Sequence, residues 1–64
     1  MTPERAIFIN WLQAKSEAQK ESGSRYANLI AMQMGANQIL ADYLGITWIE
    51  ANRLLLNWEA EGVA

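Results

Sequence analysis

Apolar side chains recur along this chain at three- and four-residue intervals, the repeat of an amphipathic helix, and no strand-like segment stands out. Glycines divide the pattern. Gly23, Gly35, Gly45 and Gly62 each follow a segment of helical periodicity, where a left-handed residue closes a helix at little steric cost. The one proline, Pro3, suits a first helical position, with Thr2 as the cap before it. The pattern therefore predicts an all-α, four-helix domain with helices over about 3–21, 25–34, 38–44 and 48–61, and a single domain across 1–64.

The predicted core follows from the same spacing. In the first helix Ile7, Phe8, Trp11, Leu12 and Ala18 form the apolar side, while Lys15, Glu17, Lys20 and Glu21 face water. The second starts after Ser24 as its cap and offers Tyr26, Leu29, Ile30 and Met34. The third carries Ile39, Leu40, Tyr43 and Leu44. Trp11 and Trp58 are expected inside, and Met32 and Met34 are expected to fill gaps in the core.

The last helix has the clearest boundaries. Thr47-Trp48-Ile49-Glu50 fits a capping box, in which the Thr47 hydroxyl accepts from the Glu50 amide and the Glu50 carboxylate reaches back to the Thr47 amide. Gly62 closes the other end, with Val63 folding onto Trp58. At about 100° per residue, Ala51, Leu54, Leu55 and Trp58 share one sector, with Trp48 on its edge. Ile49, Leu56 and Ala60 fall in a second sector roughly 160° away, flanked by Asn52 and Arg53. Either the first helix covers this second stripe, or the stripe is open to a partner.

Composition removes most catalytic chemistry. With 52% hydrophobic residues the chain has material for a core. It contains no Cys and no His, so thiolate chemistry, disulfides and the commonest metal ligands are excluded. Ser16, Ser22 and Ser24 have no base to activate them, and Asp42, Glu50, Glu59 and Glu61 read as solvated helix-end acids. No catalytic residue, metal site, cofactor or small-molecule substrate is expected. The N-terminus lacks the pattern of a signal peptide and no apolar run is long enough for a membrane span, so a cytoplasmic protein is expected. Initial Met1 and the helix stop near the other end suggest a complete small gene product, of the size and style found in phage or mobile-element gene sets.

The segment "QILADYLGITWIEANRLL" resembles a helix-turn-helix over about 37–61, with small Ala41 where two helices meet, Gly45 in the turn, and Leu40, Leu44, Ile46 and Leu54 as the seam. Its continuation "EANRLLLNWEAEGV" is similar to the recognition helix of winged-helix domains, including the one at the end of bacterial DNA translocases. The resemblance spans about 37–63. Two features depart from it: no two-stranded wing is expected after Gly62, and Ala51 stands where the family more often has a larger branched residue.

The resemblance implies that Thr47, Trp48, Ile49, Asn52, Arg53 and Leu56 lie on the surface that a DNA-reading relative would present. Asn52 suits adenine and Arg53 guanine, with Arg25 or the Lys15/Lys20 region on phosphates. Charge argues against that use. Five basic residues face seven acidic ones, for a net charge of −2, whereas specific binders make on the order of 6–10 phosphate contacts. The favoured expectation is a small non-enzymatic regulatory module that binds a protein partner or itself through Trp48, Ile49, Asn52, Arg53 and Leu56. The alternative is a dimeric DNA-binding transcriptional regulator using Thr47, Asn52, Arg53 and Arg25.

Overall fold

The computed structural model describes residues 2–62. They form three helices, α1 (Pro3–Ala18), α2 (Gly23–Leu44) and α3 (Trp48–Glu61), with no strand among the described residues. The class is all-α, but the four expected helices are three.

Helix α1 begins as its sequence predicts. The Thr2 hydroxyl accepts from the Arg5 amide at 3.2 Å, and Pro3 occupies the first turn, where its missing N–H leaves no helical bond unmade. The helix ends at Ala18, not near residue 21. Lys20 and Glu21 donate instead to the carbonyls of Glu17 and Ala18 in a tight turn. This tightening satisfies carbonyls that the end of a helix leaves free.

The largest correction concerns Gly35. Helix α2 runs straight through it for 22 residues, joining the two central helices expected to be separate. Gly23, Gly45 and Gly62 have positive φ, and Gly35 does not. A lone glycine inside a helix costs only about 1 kcal/mol relative to alanine. Burial of Leu29, Ala36, Leu40 and Ala41 along one face offsets that cost, since a fully buried Leu alone contributes roughly 1.5–3 kcal/mol. The start of α2 also differs: Gly23 opens it after Ser22 at the cap position, and Ser24 lies inside the helix.

The core joins all three helices through Phe8 and Trp11 of α1, Ala36, Leu40 and Ala41 of α2, and Ala51 and Leu55 of α3. Ile7, Leu12, Ile46, Leu54 and Trp58 pack around it, partly buried. Phe8 is its aromatic hub, stacked near Trp11 at 6.1 Å and edge-on to Trp58 at 5.9 Å. Both geometries suit the quadrupoles of the rings. Ala51, the departure from the winged-helix pattern, is fully buried, so its small side chain belongs to a close helix contact.

Several residues expected inside are outside. Met32 and Met34 are exposed, as are Tyr26, Ile39, Tyr43 and Leu44. Of these, Leu44 was expected in the seam between the last two helices. A 22-residue helix is about 33 Å long, which matches the longest extent of the molecule, 33 Å. The shorter α1 and α3 cover one face of it, and Met32, Ile39 and Tyr43 fall beside that face. The expected contact of Val63 with Trp58 lies outside the described residues.

Candidate functional site

Helix α3 is positioned by the turn before it. Gly45 adopts φ 67° and ψ 36°, a left-handed conformation that lets α2 end abruptly. Its amide and that of Ile46 both reach the Ala41 carbonyl, the latter at 3.0 Å. Two residues later Thr47 caps α3, accepting from the Glu50 amide at 3.1 Å. The second half of the expected box takes a different form, because the Thr47 hydroxyl itself donates to Glu50 Oε1 at 3.0 Å.

A further anchor comes from Asn37, only 1% exposed, whose Nδ2 donates to the Trp48 carbonyl at 3.1 Å. This bond ties the first turn of α3 to the middle of α2. Its Oδ1 has no partner within the protein. Sequence reasoning missed Asn37 because it fell in the supposed gap between two helices. In a continuous α2 it stands three and four residues before Leu40 and Ala41, on the buried face.

At its far end α3 is held by Lys15, whose ammonium pairs with Glu59 and sits 5.0 Å from the centre of the Trp11 ring. The pair is partly exposed, so its contribution to stability is about 1 kcal/mol or less. Lys15 and Glu59 therefore do not simply face water, as the periodicity suggested; they bridge α1 and α3.

Held at three points, α3 turns Ala51 and Leu55 fully inward. Its other side remains open. Ile49 is 67% exposed and Leu56 44%, and Ala60 is exposed beside them. Trp48, on the flank, is 41% exposed, Asn52 is half-buried and Arg53 is exposed. Helix α1 does not cover the stripe. Trp48 and Asn52 line a small recess with Trp11, Ile30, Gln33, Met34 and Asn37. Glu50, Arg53 and Asn57 line a shallow cleft on the other flank with Ile46 and Leu54.

The residues named for a DNA surface are less available. The Thr47 hydroxyl is occupied by the cap. Arg25 pairs with Glu21 at 3.2 Å, and Lys15 with Glu59. Among the described residues, Arg5, Lys20 and Arg53 remain outside ion pairs.

Among the described residues no group of three His, Cys, Asp or Glu side chains is placed to hold a metal ion, and no helix is long and apolar enough to cross a membrane. What the fold defines is an all-α three-helix domain with an apolar stripe on the outside of its last helix. No protein-family model matches the chain, and no curated protein or solved structure matches it significantly.

Proposed function

We propose that this chain is a small non-enzymatic regulatory module of the cytoplasm, in which a helix-turn-helix-like scaffold presents the outer face of α3 to a protein partner, including a second copy of itself. The observation that carries the reading is the exposure of Ile49 and Leu56 on a helix whose opposite side is sealed. Isolated apolar residues are ordinary on a surface; a stripe on one rigid helix is a docking feature. Trp48 supplies an aromatic anchor at its edge, and Asn52 and Arg53 supply polar groups that set register. These five side chains are the proposed contact set.

A DNA-reading role for Asn52 and Arg53 has weaker support. Ion pairing engages Lys15 and Arg25, and Glu50 shares a cleft with Arg53, where its carboxylate would repel phosphate.

The test uses purified chain immobilised against extract of its host, followed by identification and purification of the captured protein and a binding titration with the two components. Leu56→Glu is expected to abolish capture while the far-UV circular dichroism stays helical. Loss of helical signal in that variant would place Leu56 in the core and remove the reading. Retention of duplex DNA at moderate salt, abolished by Arg53→Ala, would favour the nucleic-acid role instead.

A further inference from the structure

We propose that the recess between α2 and the start of α3 receives one aromatic side chain of the partner, a tyrosine or tryptophan, whose O–H or N–H donates to Asn37 Oδ1. This rests on the docking role proposed above and names the chemistry of the group that docks.

An unmatched acceptor carries the inference. Asn37 is 1% exposed and lines the recess. Its Nδ2 is spent on the Trp48 carbonyl, which fixes the end of the amide that remains. That end is Oδ1, closed to solvent and without a hydrogen bond. An unpaired buried acceptor is penalised, so a donor brought to it gains more than one at the surface. Only a donor can use it; phenylalanine or an aliphatic side chain would leave it unmatched.

Size and charge narrow the occupant further. The recess is about 130 Å³ in volume, well below the roughly 300–1,000 Å³ of pockets that hold a free drug-sized molecule. It has room for a single side chain. No Asp, Glu, Lys or Arg lines it, so a charged group would lose its hydration there without a counter-charge. Trp11, Trp48, Ile30 and Met34 form apolar walls. A flat apolar body with one polar tip fits such a space, and tyrosine and tryptophan have that form. Serine or asparagine would supply a donor and leave the walls uncovered.

A ring reaches Oδ1 by displacing part of the lining. Trp11 is 2% exposed and held in the core, whereas Trp48 is 41% and Met34 54% exposed. Those two are the side chains free to change rotamer. Asn37 bonds the backbone of Trp48, so that ring can turn without breaking the tether. Trp48 and Asn52 border both the recess and the stripe of Ile49 and Leu56, which lets one partner engage the two together.

Indole serves as the probe, and indene, a ring of the same shape without the N–H, as its control. Each is titrated into the isotope-labelled full chain and followed by nuclear magnetic resonance. Indole is expected to shift the Asn37 side-chain amide and the Trp48 ring N–H saturably, and indene to bind about two- to tenfold more weakly. Asn37→Leu is expected to erase that preference; the comparison of the two probes on the parent chain stands whether or not this variant folds. Gln33→Trp, which fills the recess from α2, is expected to abolish the shifts while circular dichroism stays helical. The same variant is expected to weaken binding of the protein captured from host extract at least about tenfold, as is loss of one Tyr or Trp from that protein.

Indole that produces no saturable shift at the recess, or that binds the parent no better than indene, overturns the assignment. Binding abolished by Leu56→Glu and untouched by Gln33→Trp would sink the recess and leave the docking stripe standing. The opposite pattern would sink the stripe and keep the recess. A chain that binds indole yet captures no protein would sink both the partner side chain and the docking role.

Discussion

Leu55 and Leu56 are neighbours in the chain with identical side chains, and they meet opposite fates. Leu55 is fully buried and belongs to the common core; Leu56 is 44% exposed on the far side of the same helix. Hydrophobicity cannot separate them. The 100° step between successive residues does, once the rotation of α3 is fixed. That rotation is set by the inward pull of Ala51 and Leu55, while Asn37 bonds α3 at one end and Lys15 bridges to Glu59 at the other. The two faces of α3 thus separate what holds the domain together from what remains for an external contact.

The sharpest way to break the comparison is to truncate both leucines. Leu55→Ala should cost about 2–5 kcal/mol, the range for a buried Leu that leaves a cavity. In a domain this small, whose core rarely supplies more than about 3–5 kcal/mol, most molecules should then be unfolded at room temperature. Leu56→Ala, measured by urea denaturation at a concentration that keeps the chain monomeric, should stay within about 0.5 kcal/mol of the parent. Equal losses at the two positions would show that α3 does not bury Leu55 in preference to Leu56.

Removing the tether at the start of α3 should give a smaller effect. Asn37→Ala deletes the bond to the Trp48 carbonyl and should lower stability by about 1–3 kcal/mol in the same denaturation experiment. The change also removes the unpartnered Oδ1, which places the expected loss toward the lower end of that range. No loss at all would mean that the packing of Ala51 and Leu55 orients α3 unaided.

Helix α2 provides the smallest test, with the opposite sign. A Cβ at Gly35 meets no atom within 4 Å, and Gly35 lacks the positive φ found at the other three glycines. Gly35→Ala should therefore raise the urea midpoint by the equivalent of about 0.5–1 kcal/mol. At Gly45 the space is equally open, but φ is +67°, so Gly45→Ala should destabilise. Space alone does not set the sign; backbone conformation does.

Much of the architecture was legible in the chain itself. Thr2, Pro3, Thr47, Gly45 and Gly62 act locally, through caps and a left-handed φ, so the beginning of α1 and both ends of α3 could be read without a fold. The buried sector of α3 was legible as well, because its periodicity is strong and depends on α3 alone. Gly35 misled for the same reason that makes glycine a useful signal: it permits a helix end without requiring one. Only tertiary burial along α2 decided that the helix continues, and this brought Asn37 onto the inner face.

Met32, Met34 and Leu44 mark the other boundary of sequence reading. Their polarity suits a core, but whether a neighbour covers them depends on the lengths and placement of α1 and α3. The same holds for Ile49 and Leu56: the repeat placed them together on one side, and only the path of α1 decided that this side stays uncovered.

Local dihedral preferences and capping chemistry settle where a helix starts and which of its residues share a side. Which of those sides meets another helix is a property of three bodies packed at once. For Ile49 and Leu56 that property is the path of α1, which leaves their side of α3 bare.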